Sequence, residues 1–330
     1  MKNIAVWIGV LSLTTALAAC GTQSAASKTS TGPVSAKTLW PQGITIVVGF
    51  PPGGAVDTGA RLLQPYLSKA LGVPVVIQNM PGAGGGTAAA YVAHQPRNKP
   101  LFLMTFLPSF VLDQIIGHSN FKALSLTPLA GIYGNDTSVL IAKKGSRWTN
   151  FATLKNAKTT ITAGTAGVGS SSTWMSLVFL KDLNHMNIKA VPYLGGAPAS
   201  DAAIGGSIDI AATTMVEATR LIHSGRAQGV LEFAPHQFSQ IPGVESIAQA
   251  GYPSESFETL MGVTGPPGMP ASSAKVMEKA LAQAAHQSAL ASKAKNAGVY
   301  MDYEAPNQWK KAIEHSYKQI DNDRSILTHP

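Results

Sequence analysis

Ile44-Thr-Ile-Val-Val-Gly-Phe-Pro-Pro-Gly-Gly-Ala-Val-Asp57 and Ile161-Thr-Ala-Gly-Thr-Ala-Gly-Val-Gly-Ser-Ser-Ser-Thr173 are the two stretches that decide how this chain folds. Each places a glycine-rich loop where a hydrophobic strand hands over to a helical pattern. Glycine lets the backbone turn sharply and come close to a ligand. The helix that follows offers free N–H groups and a partial positive charge, a ready site for carboxylate or phosphate. Two such loops, more than a hundred residues apart, predict one anion held between two α/β lobes.

Working outward, apolar runs alternate with helical patterns along most of the chain. Strands are expected at Ile44–Gly49, Val73–Gln78, Pro100–Thr105, Ser138–Ala142, Thr159–Ala163, Ile188–Pro192, Ile208–Ala212, Gly229–Phe233 and Thr259–Thr264. Helices are expected near Ala55–Leu71, Gly85–His94, Phe151–Asn156, Ser171–Leu183, Ala197–Gly205, Val216–Ser224, Ser272–Ala297 (with a break allowed) and Pro306–Ile326. Such alternation predicts an α/β fold with parallel sheets covered by helices. Pro65 falls inside the first helical pattern and is expected to kink or break it. The strand Ser138–Ala142 follows a polar stretch from Gly131 to Thr137 and opens a new α/β series, so it reads as a crossover into a second lobe. A return near Glu258–Gly265 completes a hinge of two crossovers. Lobe 1 then comprises residues 40–137 and 262–330, and lobe 2 residues 138–261. The cleft should face the strand C-termini, where open α/β sheets bind ligands.

The N-terminus reads as an export signal. Lys2 gives a positive region, and Ile4 to Leu17 is an apolar run too short to span a bilayer. It ends in Leu17-Ala18-Ala19-Cys20, which resembles a lipobox, so residues 1–20 read as a lipoprotein signal peptide with Cys20 as the lipidated residue. Cys20 is the only cysteine, which excludes an intramolecular disulfide and multi-cysteine metal sites. Residues 21–39, rich in small polar residues, read as a flexible tether. The remaining ~290 residues exceed one typical core and suggest two domains. The net charge is +8, yet only 13% of residues are charged and no basic cluster interleaves with aromatics, so nucleic acid is not an expected partner. The basic balance does suit the capture of anionic solutes.

Parts needed for catalysis are missing. There is no G-x-x-x-x-G-K-[ST], so Gly82-Ala-Gly-Gly-Gly-Thr87 is not a P-loop. No G-x-S-x-G elbow surrounds Ser170, Ser171 and Ser172, and no H-E-x-x-H occurs among the scattered histidines, His185, His223 and His236 included. Acidic residues are few and none pair at a spacing suited to acid–base work. No enzyme activity, cofactor or metal is expected.

The segment Ile46–Thr58 resembles the first signature of the substrate-binding proteins of tripartite tricarboxylate transporters, the Bug or TctC-like family. Further matches follow in order: Gln78-Asn-Met-Pro-Gly-Ala-Gly-Gly85, Gly164-Thr-Ala-Gly-Val-Gly-Ser-Ser171, Val191-Pro-Tyr-Leu-Gly-Gly-Ala-Pro198, Gly205-Gly-Ser-Ile-Asp-Ile210, Ile241-Pro-Gly-Val244, Ala250-Gly-Tyr252 and Gly265-Pro-Pro-Gly-Met-Pro270. Each motif is weak alone; the ordered set is specific. The resemblance implies a two-lobe fold of the periplasmic-binding-protein type (type II, a Venus flytrap). It implies a small carboxylate ligand and a two-component integral membrane permease as partner; with the lipobox at Cys20, the expected protein is a monomer anchored by lipid in the periplasm or at the cell surface. Presentation of the ligand to a membrane receptor kinase is the alternative role.

The same resemblance carries carboxylate binding onto Pro52, Gly53, Gly54 and Ala55 in the first loop, and onto Thr165, Gly167, Gly169, Ser170 and Ser171 in the second. The residues themselves agree: N–H groups from Gly53 to Val56 would face the anion, and Ser170 or Ser171 adds a hydroxyl donor. Asp57 has two readings, a partner for a ligand ammonium or a stabiliser of its own helix. Thr105, with Phe106 beyond it, Tyr193, Thr213 and Thr214 are candidates for the rest of the pocket. The chain departs from the family pattern at Thr173, where a histidine is usual, at Pro96-Arg-Asn-Lys99, at Ala211-Ala-Thr-Thr-Met215 and at Leu260. These departures bear on which ligand fits rather than on the fold.

Overall fold

A computed structural model describes residues 34–116, 119–167, 169 and 171–329. The expected signal peptide, Cys20, most of the tether and Ser170 lie outside the described residues. Helix α1 (Ala36–Leu39) leads into β1 (Ile44–Val48), α2 (Ala55–Leu71), β2 (Val75–Asn79), α3 (Gly86–Ala93), β3 (Leu101–Leu107), α4 (Ser109–Ile115) and β4 (Thr127–Asp136). Next come β5 (Ser138–Lys143), α5 (Phe151–Lys155), β6 (Ile161–Thr165), α6 (Ser172–Asn184), β7 (Ile188–Pro192), α7 (Gly196–Gly205), β8 (Ile210–Thr214), α8 (Met215–His223) and β9 (Ala227–Glu232). The chain ends through β10 (Thr259–Gly265), α9 (Ala271–Ala285), α10 (Ser288–Asn296), β11 (Tyr300–Glu304), α11 (Pro306–Asn322) and α12 (Arg324–Thr328). Ala36–Leu39, expected within the tether, form α1; Ala36 and Trp40 are buried, and the Trp40 ring meets Phe102 edge-on at 5.5 Å.

The strands form two sheets, ordered β11-β4-β10-β3-β1-β2 and β7-β6-β8-β5-β9. Both are mixed rather than parallel. The β1–β2, β1–β3, β6–β7 and β6–β8 pairs are parallel, as strand–helix alternation requires. The antiparallel pairs all involve β4, β5 and β10, the strands beside the two crossovers; β5 and β10 enter their sheets from the other lobe. Asp136 ends β4 and Ser138 begins β5, so one residue separates the sheets. The return falls before Thr259, because all of β10 pairs within the first sheet; residues 259–261 therefore belong with lobe 1.

Helix α2 runs unbroken through Pro65. Its Val56, Ala60, Leu63, Leu67 and Leu71 are buried at the three- and four-residue spacing of one helix face, and Gly72 closes it in the left-handed conformation (φ 69°). Strand β4 escaped the sequence reading because Gly131 and Gly134 resemble turn residues. Their role is steric. A Cβ on Gly131 would lie 2.9 Å from Glu304 Cβ and 3.1 Å from the Trp309 ring, and one on Gly262 would lie 2.5 Å from that ring. The missing side chains let fully buried Trp309 of α11 lie flat against β4 and β10. The region expected as one terminal helix is two, α11 and α12, separated at Asp323. One apolar cluster joins Leu103 and Phe110 of the first lobe to Trp174, Phe179 and Phe233 of the second, with Trp309 beside them.

The two crossovers are tied together. Thr137 Oγ1 donates to Phe257 O at 2.8 Å, and the N–H of Phe257 bonds Phe233 O at 2.8 Å. Asp136 Oδ1 accepts from the N–H groups of Thr137 (2.8 Å) and Met215 (2.7 Å), which joins the first crossover to the start of α8. Burial pushes the Asp136 carboxyl up to about 7 against the pull of those bonds. Glu232, at the end of β9, is likewise raised to about 7 by burial, although its Oε1 accepts from Phe238 N–H.

A carboxyl whose folded-state pKa exceeds its unfolded value binds its proton more tightly in the folded protein. Its contribution is full below about pH 4 and is lost as pH rises through about 7. The melting temperature should therefore fall between pH 5 and pH 8. Asp136→Asn should flatten that fall while leaving the acid limb below pH 4 unchanged. Calorimetric scans across this range check it; an equal slope in the variant would assign the effect elsewhere.

Candidate functional site

A cavity of about 260 Å³ opens where the two sheets present the C-terminal ends of β1, β3, β6, β7 and β8. Four helices begin at its wall. The start of α2 contributes Gly54, Ala55 and Val56, and that of α6 contributes Ser171, Ser172 and Thr173. Gly195, Gly196, Ala197 and Pro198 come from α7, and Thr214 and Glu217 from α8. The remaining wall is apolar, with Phe50, Pro51, Pro52, Phe106 and Ala166, plus Ser109 of α4. Phe50 and Phe106 meet edge-to-face at 5.5 Å. Glu217 is the one charged residue among the described residues that line it.

The first loop is locked from behind by Asp57. Its Oδ2 accepts from Gly53 N–H at 2.9 Å, its Oδ1 accepts from Asn79 Nδ2 at 2.9 Å, and Arg61 Nε reaches both oxygens at 3.0 and 2.9 Å. Asn79 also donates to Phe50 O at 2.9 Å, so one buried carboxylate fixes both ends of the turn. Burial alone would raise the Asp57 pKa, but the bonds from Arg61, Gly53 and Asn79 outweigh it and hold the group below its usual range. Gly53 adopts φ +84°, a conformation that favours glycine. Of the two readings of Asp57, the helix-stabilising one matches this geometry, and Asp57 does not line the cavity. Gly53 N–H is likewise spent on Asp57 rather than facing the cavity.

What remains open are the first-turn amides of α2. Its N-cap is Gly54, which supplies no side-chain acceptor, so the Ala55 and Val56 N–H groups meet the cavity without a protein partner among the described residues. In the second loop, Ser171 Oγ accepts from Trp174 N–H at 3.1 Å and lies 3.2 Å from Gly167 O, so it caps α6. Thr173 Oγ1 lies 2.9 Å from Thr165 Oγ1 and accepts from Ala166 N–H at 3.2 Å. Thr165 is thus buried beneath the site as a support for Thr173. Ser172 N–H donates to Ser109 Oγ at 2.9 Å across the cleft, a direct bond between the lobes.

Of the expected contacts, Pro52, Gly54, Ala55, Ser171 and Thr214 line the cavity. Gly167 (φ +93°) and Gly169 (φ +84°) shape the second loop without lining it. Thr105 lies behind the wall, its hydroxyl 2.9 Å from Thr264 Oγ1, because strand alternation turns it away while its neighbour Phe106 faces the cavity. Thr213 is buried and donates to Glu217 Oε2 at 3.2 Å. Tyr193 packs against Gly164 in the second lobe. Sequence reading missed Ser109, Ser172 and Glu217 as lining residues. A short helix after β3 hid Ser109, and Glu217 had the ordinary look of an acidic first-turn residue.

Two mixed sheets joined by two crossovers, with a cleft walled by helix N-termini, define a two-lobe solute-binding protein of the periplasmic type. Residues 59–324 match the profile of the Tripartite tricarboxylate transporter family receptor, and the chain belongs to that family. A UPF0065 protein of Pseudomonas sp. (strain P51) is 30% identical over 240 residues, 69% of each chain. MatC from Rhodopseudomonas palustris, solved with bound malate, superposes with a TM-score of 0.76 at 23% identity, covering 86% of this chain and 98% of its own. A second R. palustris protein, solved with adipate, gives 0.78 at 22% identity, covering 87% and 98%.

Asp57→Ala removes the carboxylate that orders the first loop, leaves Gly53 N–H and Arg61 Nε without their acceptor and takes one of two from Asn79 Nδ2. It should cost about 1–3 kcal/mol of stability, read as an earlier urea midpoint. Ligand affinity should fall with it, because the α2 amides lose their fixed aim.

Proposed function

We propose that this protein is an extracytoplasmic receptor that captures a small carboxylate between its lobes and delivers it to a two-component membrane permease of the tripartite tricarboxylate type. The observation that carries the reading is the convergence of the α2 and α6 N-termini on one cavity, with the Ala55 and Val56 amides unfilled. A carboxylate oxygen accepts several such bonds, and charge-assisted bonds are roughly twice as strong as neutral ones. Malate and adipate, held by two proteins of the same fold, are small carboxylates and support the ligand class. In this reading the carboxylate sits between the Ala55–Val56 amides and the start of α6, where Ser172 and Thr173 complete its shell. Pro52, Gly53 and Gly54 shape the approach on one side, and Ser171 at the start of α6 stands on the other.

Donors from both lobes meet only when the cleft is shut, so the ligand shifts the open–closed equilibrium. The Ser109–Ser172 bond belongs to the shut arrangement. Cleavage before Cys20 would leave a lipid-anchored monomer in the periplasm or at the cell surface, with residues after Cys20 as the leash. Membership in a receptor family supports binding without turnover.

Titration calorimetry of the mature protein against a panel of small carboxylates tests this, with thermal shift as a second readout. At least one carboxylate should bind and raise the melting temperature. Ala55→Asp puts a carboxylate at the first position of α2, which suits the helix but occupies the anion's place. Affinity should drop by about tenfold or more, that is by at least ~1.4 kcal/mol, with stability kept. Absence of any stabilising carboxylate would sink the proposal.

A further inference from the structure

Glu217 is an acidic group in a cavity otherwise suited to an anion. It occupies the third position of α8, where a glutamate ordinarily turns back to bond the N–H of its own N-cap residue. Here it does not. Thr214 caps the helix through its own hydroxyl, accepting from Glu217 N–H at 3.4 Å, and the Glu217 carboxylate turns to the cavity wall. Its side chain is 13% exposed. Oε2 accepts from Thr213 Oγ1 at 3.2 Å, and among the described residues Oε1 meets only the exposed Arg220 guanidinium at 3.3 Å. A carboxylate offers about four acceptor positions, so capacity is left over. Burial, aided by Asp201, pushes the Glu217 pKa up, while Thr213 and Arg220 pull the other way without prevailing.

The neighbouring glycine shows that this placement is built in. A Cβ on Gly196 would lie 2.8 Å from Thr213 Oγ1 and 3.1 Å from Glu217 Oε2, so only a residue without a side chain lets the carboxylate lie against the start of α7. The N-cap of α7 is Gly195, which provides no side-chain acceptor. Glu217 therefore already holds a negative charge beside that helix end. The positive ends left for a ligand anion are those of α2 and α6. No lysine, arginine or histidine lines the cavity among the described residues; beyond Phe50, Phe106 and the prolines its walls carry only neutral hydroxyls, such as Ser109, Ser172 and Thr214. A second ligand carboxylate would find no cation among these residues, and beside α7 it would face Glu217.

We propose that Glu217 is a specificity-determining residue, selecting a monocarboxylate whose other polar group is a hydrogen-bond donor, an ammonium ahead of a hydroxyl, and rejecting dicarboxylates. This rests on the carboxylate-binding reading above and narrows it. An ammonium would compensate the buried charge; a hydroxyl would fill a free acceptor position; a second carboxylate would face like charge in a poorly hydrated site.

The experiment is calorimetry with straight-chain carboxylates of three to six carbons, each length supplied in four forms: unsubstituted, ω-hydroxy, ω-amino and ω-carboxy. Wild-type protein should bind the amino form of the best length about tenfold or more tighter than the dicarboxylate of that length. Glu217→Gln, nearly the same shape, should reverse or erase that preference, weakening the amino form and strengthening the dicarboxylate. Glu217→Ala should do the same, and a thermal melt of each free variant confirms that it is folded. A wild-type preference for the dicarboxylate, or losses equal across all four forms in both variants, overturns the assignment of Glu217 while leaving carboxylate binding intact. Failure of every compound to bind the wild type overturns both.

Discussion

The N-terminal amides of an α-helix have no partners within the helix, and this molecule spends that deficit at one place. Parallel strands β1, β6, β7 and β8 all point their C-terminal ends at the cleft, and each is followed by a helix that starts there. The four helices satisfy their first turns differently. For α6 the partners are its own Ser171 and Ser109 of the other lobe; for α8 they are Thr214 together with Asp136. The end of α7 lies against Glu217. Only α2 begins with neither a side-chain cap nor a substitute. A helix end that opens on a cavity is completed by water or an anion, and the rest of the site is arranged around that opening.

Keeping such a gap requires a loop that cannot collapse into it. Asp57 does this from beneath, drawing Gly53, Arg61 and Asn79 into one bonded group whose bonds run away from the cavity. On the opposite side, the chain of hydroxyls Thr165–Thr173–Ser171 fixes the second loop in the same way. Behind both lies the apolar cluster shared by the two lobes, and the two crossovers are tied to each other through Thr137 and Phe257, next to the buried Asp136.

How much of this was legible in the sequence follows from what each signal encodes. Strand–glycine–helix transitions are local, so both loops, the strands that feed them and the full extent of α2 could be read directly. The two loops and the crossover read at Ser138 already predicted two lobes, and the ordered motifs agreed. Strand β4 was hidden because its glycines answer to residues roughly 170–180 positions further on, Gly131 to Glu304 and Trp309 and Gly134 to Asp302, and a local pattern cannot distinguish a glycine that turns from one that makes room. The parallel expectation failed for the same reason, since the sheet direction of β5 and β10 depends on which lobe they come from. Within the site, backbone contributors at Gly54 and Ala55 were found because glycine announces them. Thr105 and Thr213 were placed on the wrong side because a strand's facing alternates residue by residue, and the true ends of β3 and β8 extend past the expected ones.

Grip and choice are consequently assigned to different parts of the chain. In the proposed reading the anion is met largely by backbone amides, which nearly any residue can supply once the helix starts in the right place. That helps to explain how chains at 22–23% identity share this fold with TM-scores of 0.76 to 0.78: the framework constrains backbone direction more than side-chain identity. What fills the remaining wall is free to vary, and here it is Phe50, Phe106, Pro198 and Glu217. A cavity held by backbone on one side and side chains on the other can keep its hold on a carboxylate while its preference changes with a single residue. Glu217 is where that freedom is most visible, because a buried acid beside an anion site is costly unless the ligand answers it.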